Sequence, residues 1–410
     1  MQIILNRLFW FVIQLQNIKK TKDYVLILEF YYFPFFLATC AARISQRSKQ
    51  IWICLNWVLI NDIWNEYAKN KCYRKTAFSQ SSISRFLNLV DQSEISVLFT
   101  ENSKSQFFVE WEKIKESREM NKNKGTYKNN IKDKRKKSKI CPGKFPHYSI
   151  DGKSRKGVVS EETGRTEIDL TLFNSETQRV LCQKTLPDKE GESIAAAEII
   201  NKMGNSIPEG VFTGDAGITS PKVTSAIIES QHHYILSIKQ NAGKLYEKIR
   251  NYDWDNVATS YVQISEGHGR QEMRKLKRIN LSQLDTKDYT RYSGAKLAFN
   301  LETKIFIKKD EKLVVEDRFF IADAAIEELT LPQVAYYIRN HWSQESFHWV
   351  KDVILNEDNC PQKTKNGSRI LGTLNTHAFT LGKKIFGSVK KFTNYFVSKP
   401  EIFIKKQGDK

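Results

Sequence analysis

The sequence predicts an α/β protein with a helical front part, and three observations carry that prediction. From residue 146 to 239, short apolar runs alternate with helical patterns in the order strand, strand, strand, helix, strand, helix, strand. From 255 to 322, extended segments separated by charged turns follow. Helical patterns dominate residues 1–118 and return as one long pattern over Leu331–Leu355. Strands alternating with helices read as a sheet covered by helices.

Each element has its own local reason. Ser81–Val90 places serines suited to an N-cap before apolar residues at Ile83, Phe86, Leu87 and Val90, a helical spacing. This reads either as a recognition helix or as a helix facing a core. Asn121–Ile140 holds nine basic side chains and one acid with few apolar residues, so it cannot fold alone and reads as a linker. His147–Asp151 is a short strand expected to end at Asp151 and Gly152. Glu167–Phe173 and Gln178–Gln183 flank a polar turn, a hairpin signal. Glu192–Met203 is a helix stopped by Gly204. Val211–Thr213 is a strand ending at Gly214-Asp215-Ala216-Gly217. Ser220-Pro221 pairs an N-cap with a proline at the first helical position, opening a helix to about Gln231. His233–Lys239 is again a strand, and Thr330 with Pro332 opens the last long helix.

The chain has 410 residues, room for two or three domains. Its net charge is +19, unevenly spread: residues 1–150 carry +14 and residues 151–410 carry +5. A basic front and a nearly balanced back suggest a nucleic-acid contact region joined to something else. The six cysteines form no C-x-x-C pair, which argues against a zinc knuckle or a disulfide framework and fits a reducing compartment. Tyr24–Ile44 is about as long as a spanning helix, ~20 residues, but Glu29 and Pro34 interrupt it. With Ile51–Trp64 it reads as buried helices of an N-terminal domain, so a membrane partner is not expected. The start is not read as a signal peptide, because its first basic cluster follows the apolar run.

Chemistry is concentrated in three places. Asp151 ends the first strand of the block, Asp215 follows the fourth, and both stand beside glycines. In the last helix His341, Glu345, His348, Trp349 and Asp352 recur at spacings of three and four, hence on one face. Two strand-terminal aspartates and a helical acid can converge into one oxygen-rich pocket. Carboxylates that close cannot all ionise without a counter-charge. Hard divalent cations supply it, and two such ions can activate an attacking oxygen and stabilise the leaving one in phosphoryl transfer. Glu357 and Asp358 rival Glu345 as the third acid. His341 and His348 raise zinc, but no further His or Cys has ligand spacing.

The order of strands and helices, with acids at those elements, resembles the ribonuclease-H-like fold. Five motifs sharpen the resemblance: Ser149–Gly157, Gly214–Gly217, Leu236–Asn241, Gly267–Arg274, and the run from Arg339 through His341-Trp342, Glu345 and His348-Trp349 to Asp358. Together they resemble the DDE transposases of bacterial insertion sequences, in the H-repeat-associated branch. The resemblance covers about 145–388, with an echo in 80–112. It implies a ribonuclease-H-like mixed-sheet catalytic core with a β-rich insertion and a helical N-terminal domain. It implies Asp151, Asp215 and Glu345 as catalytic and metal-holding residues for two Mg2+ ions, with Mn2+ as a substitute.

The family carries a Tyr, Arg, Glu, Lys signature on this helix. Here His341 stands where Arg is usual and Asp352 stands at the Lys position, with Lys351 beside it as a substitute. Lys153, Arg155 and Lys156 read as phosphate contacts near the metals or as a solvated turn. His268 and Arg270 read as a clamp in the insertion or as a polar hairpin turn. Lys239 and Asn241 read as holders of the flanking strand, and Arg339, His341 and Lys351 complete the expected DNA contacts.

The implied function is metal-dependent DNA cleavage and strand transfer at the ends of the chain's own insertion sequence. The implied partners are double-stranded DNA, as terminal inverted repeats and target, and a second copy of the chain on paired ends. No small-molecule cofactor is expected, and the implied location is the cytoplasm, at the nucleoid. The alternatives are a nuclease without strand transfer and a decayed copy that only binds DNA. Residues 1–50, rich in Phe, Tyr and Ile without a clear pattern, keep the second alternative open as an altered start. The expected domains are 1–120 helical and DNA-associated, 121–145 linker, 146–240 with 329–388 catalytic core, 241–328 insertion, and 389–410 basic tail.

Overall fold

The computed structural model describes residues 92, 96, 100, 103, 104, 107–116, 143–267, 269–359 and 365–398. The apolar runs before residue 65, the Ser81–Val90 helix, residues 121–142, His268 and the tail beyond 398 lie outside the described residues.

Nine strands form one sheet: β1 (His147–Val159), β2 (Thr166–Asn174), β3 (Arg179–Leu186), β4 (Val211–Gly214), β5 (His233–Ile238), β6 (Ser260–Gly267), β7 (Arg270–Asn280), β8 (Ala295–Ile307) and β9 (Lys312–Asp323). Their order is β3-β2-β1-β4-β5-β9-β8-β7-β6. The first five pair antiparallel from β3 to β1 and parallel from β1 to β5. That mixed 3-2-1-4-5 half is the ribonuclease-H-like core the sequence predicts. Helix α1 (residues 107–116) precedes it. Helices α2 (Glu192–Met203) and α3 (Pro221–Glu229) connect its parallel strands, followed by α4 (Lys244–Arg250). Ser220 caps α3 by accepting from the Val223 N–H, with Pro221 at the first turn, as its sequence predicts.

The centre of the sheet is covered on both faces, as the alternation of side chains shows, while the outer part of β6, β8 and β9 leaves Ile264, Phe306 and Leu313 exposed. Phe212, Tyr234, Leu236, Phe319 and Ile321 join the core under α2, α3 and α4. Their neighbours Val211, Ile235, Phe320 and Ala322 join the core under α5 (Leu331–Asn340). A period of two, apolar on both sides, is what a sheet buried on both faces requires. Phe107 and Trp111 of α1 are buried in the first of these cores, with Phe107 against Tyr148 at 6.0 Å.

Several expectations need correction. β1 does not end at Asp151 but runs on to Val159, because β2 continues to pair with it. Only its partnership with β4 stops at Ile150. The β-rich segment 241–328 extends the central sheet by four strands, because β9 pairs antiparallel with β5. The long helical pattern is broken into α5, α6 (Trp342–Trp349) and a π-helical turn at Val350–Ile354. Residues 389–398 are not tail: they form α8 (Val389–Ser398), whose buried Phe392 packs beside α7 (Lys365–Phe386).

Candidate active site

Register brings the first two acids together. Ile150 and Gly214 are Cα partners in the parallel β1–β4 pair, and Asp151 and Asp215 each come next. Neighbouring strands lie ~4.8 Å apart, so the two carboxylates stand side by side where the β1–β4 pairing ends. The Gly152 N–H donates to Asp151 Oδ1 at 2.9 Å, and the Ile218 N–H donates to Asp215 Oδ1 at 3.0 Å. Asn241 Nδ2 donates to the Ala216 carbonyl at 2.5 Å, tying the end of β5 to the Asp215 turn. Asn241 thus supports an acid, a role its sequence context did not suggest.

The third acid is delivered by α6. Gln344, fully buried, donates to the Thr171 carbonyl at 3.0 Å and to Thr171 Oγ1 at 2.9 Å. This clamps α6 to β2 opposite Asp151, whose register partner is Thr171. The next residue, Glu345, lines one cavity of about 580 Å³ together with Asp215, Lys239, Arg274, Arg318 and Arg339.

Burial, then the nearby charge of Asp215, pushes the Asp151 carboxyl up to about 7. Burial and Asp215 also push Glu192 up to about 7, even though Lys189 pulls the other way. No Lys or Arg pairs with Asp151, Asp215, Glu192 or Glu345 among the described residues. His348 Nδ1 lies 3.8 Å from Asp151, but burial, reinforced by Lys351 and Lys153, drives that imidazole down to about 3 and keeps it neutral. Among the described residues no three His, Cys, Asp or Glu side chains are gathered at metal-binding distance. The donors do suit a hard divalent ion: they are carboxylate oxygens without a counter-charge.

The expected DNA contacts divide. Arg155 is buried, pairs with Asp169 at 3.4 Å and donates to the Ser368 carbonyl. Lys351 is fully buried between Asp169 at 3.6 Å and Glu357 at 3.2 Å. Lys153 is 6% exposed and meets Asp352 at 2.6 Å, Asp358 at 3.3 Å and Glu357 at 3.6 Å. These three cations hold the scaffold and do not face a phosphate in this arrangement, which corrects the expectation for them. The π turn explains two of them: one extra residue in the helical register turns Lys351 inward and Asp352 toward Lys153. It also spends Glu357 and Asp358 on cations, so they do not compete with Glu345. Lys156 is exposed, paired with Asp358 at 2.9 Å. Arg270 is exposed at the β6–β7 turn, beside Glu272 at 2.7 Å.

His341 does not replace an arginine. Burial lowers it to about 4, and its Nδ1 lies 3.0 Å from Thr213 Oγ1, which in turn lies 2.8 Å from His147 Nε2. A neutral imidazole tied to Thr213 offers no cation. The cations are elsewhere: Arg339, Arg318 and Arg274 surround the Trp342 ring at 4.0, 5.2 and 5.8 Å. Burial and mutual repulsion with Arg339, Arg270 and Arg318 bring Arg274 down to about 10. Arg339 Nη1 is buried without a hydrogen-bond partner among the described residues. Arg274 lies inside a quoted motif and Arg318 in none; only the registers of β7 with β8 and of β8 with β9 bring them beside α6.

Comparison with known proteins decides the family. The family described as transposase DDE domain matches residues 170–381. The chain belongs to the DDE transposases. The matched span holds Asp215 and Glu345 and begins beyond Asp151. Several relatives carry the word transposase in their names. YncI of Escherichia coli O157:H7 is 27% identical over 260 residues, covering 59% of this transposase and 64% of YncI. H repeat-associated YhhI of Escherichia coli (strain K12) is 27% identical over 239 residues, covering 56% of this chain and 59% of its own. The chain therefore matches somewhat under two thirds of these relatives' length. Among solved structures, a piggyBac transposase synaptic complex with hairpin DNA aligns at a TM-score of 0.42 and 11% identity, covering 96% of this chain and 76% of that one. A likeness that loose bears on neither site nor activity.

Proposed function

We propose that this transposase cleaves DNA at the ends of its insertion sequence and joins the freed end to target DNA, with Asp151, Asp215 and Glu345 as the catalytic acids. One observation carries the reading: Asp215 and Glu345, neither paired with a Lys or Arg among the described residues, share a cavity with Arg339, which no acid pairs among the described residues, and with Arg274 and Arg318, which Glu272 and Glu316 pair. Charges of opposite sign in one cavity suit a metal on one side and a polyanionic strand on the other.

Two Mg2+ or Mn2+ ions held by the three acids would supply charge to the attacking and leaving oxygens of a phosphoryl transfer. The protein's own residues do the rest. Register and the Gln344 clamp hold the carboxylates in place. Arg339 and Arg318 receive backbone phosphate, Arg318 in exchange for its partner Glu316, Arg274, buried against Glu272, adds positive potential beside them, and Trp342 offers a ring against which the strand packs. Lys239 lines the same cavity and extends the contact. Cleavage is attack of water on phosphorus, which leaves a 3′ hydroxyl. Joining is attack of that hydroxyl on a target phosphodiester, whose own 3′ oxygen leaves. Neither step needs a covalent protein–DNA intermediate. The basic residues before 146 add sequence-independent affinity, two copies act on paired ends, and the setting is the nucleoid of the cytoplasm.

The test is a cleavage assay on DNA carrying the element's ends. Asp151→Asn and Asp215→Asn should each abolish Mg2+-dependent cutting while leaving DNA binding in place. Full activity in either variant would sink the mechanism. Cutting without joined products would make the protein a nuclease instead.

A further inference from the structure

Glu192 opens α2 directly after Gly191, and only 4% of it is exposed. Its carboxylate turns toward the paired aspartates. Its Oε1 occupies the space that a Cβ on Gly152 would need. Its Oε2 is 3.7 Å from where a Cβ on Gly217 would stand, and the Asp215 oxygens are 3.3 and 3.7 Å from that same point. The glycines that flank the two aspartates thus leave the room this third side chain takes. Among the described residues Glu192 has no ion-pair or side-chain hydrogen-bond partner. Glu198, farther along α2, is exposed and pairs with Lys184. A carboxylate this buried and unpartnered is costly unless something else compensates it. Support of the helix start does not require the cost, since an exposed acid in the first turn serves the dipole equally well.

We propose that Glu192 is a fourth carboxylate of the divalent-ion site, entering from the helical layer opposite α6. The proposal rests on the reading of Asp151 and Asp215 as metal-holding residues, and it adds a residue that the three-acid set lacks. Glu192 then closes the side of the site that Glu345, exposed on α6, leaves open.

Mn2+ titration of the full chain, followed by the paramagnetic signal of the free ion, tests it on wild type, Asp151→Asn and Glu192→Gln. Loss of a ligand should weaken Mn2+ binding about ten- to a hundredfold in Glu192→Gln. Wild-type affinity in Glu192→Gln beside a loss in Asp151→Asn overturns this proposal alone. Wild-type affinity in both variants overturns the underlying reading of the acids. The metal-free unfolding midpoint separates ion holding from helix support. Removing one of several crowded charges should leave it unchanged or raised. A lower midpoint, or failure to fold, assigns Glu192 to support of α2 and overturns the proposal.

Discussion

At the scale of single residues, the clustered acids and the buried ion pairs behave oppositely, and both can be measured. Asp151 ionises near 3.8 in an ordinary setting but at about 7 in the folded protein. Between those values the folded state holds the extra proton, so raising the pH through this window removes stability, and the loss is complete above about 7. Asn at this position cannot ionise. In chelator, the unfolding midpoint of wild type should therefore fall more steeply from about pH 4 to 8 than that of Asp151→Asn. Parallel curves would contradict the raised value. Lys351 belongs to the other class. Its ammonium neutralises Asp169 and Glu357, both buried. Lys351→Ala leaves those carboxylates short of charge and should cost about 3–5 kcal/mol in urea unfolding. A loss below about 1 kcal/mol, the worth of a surface pair, would show that the pair is not buried in solution.

At the scale of elements, most of what the sequence predicts holds where a segment's own pattern is strong. Glu192–Met203 and the Ser220-Pro221 start were legible because caps and apolar spacing act within a few residues. The end of β1 was not legible, because Gly152 looks like a stop until β2 is seen pairing past it. The π turn was not legible either: one added residue in a helix leaves no mark in apolar spacing, yet it decides that Lys351 points inward. Helix α7 offers a test of such close packing. A Cβ on Gly372 would lie 2.6 Å from Arg155 Nη2 and 2.8 Å from Asp169 Oδ2. Gly→Ala inside a helix ordinarily stabilises by about 0.5–1 kcal/mol. Here the ion pair beneath cannot move aside, so Gly372→Ala should instead destabilise by about 1–3 kcal/mol. A stabilised variant would mean that α7 rides higher on the sheet.

At the scale of the whole molecule, charge is divided between a basic front and the carboxylates gathered around Asp151 and Asp215. The sheet carries a second division, because β7 and β9 bring Arg274 and Arg318 beside Trp342 of α6. If DNA backbone meets that cluster, Arg318→Gln should weaken binding similarly for all sequences and lower the salt-dependence slope by about 1. An unchanged slope would place the backbone elsewhere. Family, strand order and the pair Asp151 and Asp215 follow from local patterns along the chain, since each needs only short-range spacing and a turn. Glu192 beside the aspartates, the arginine ring around Trp342 and the loss of Arg155 and Lys351 to the interior do not. Each depends on which face of a helix or strand meets a partner tens of residues away, and that is settled by register and packing between elements.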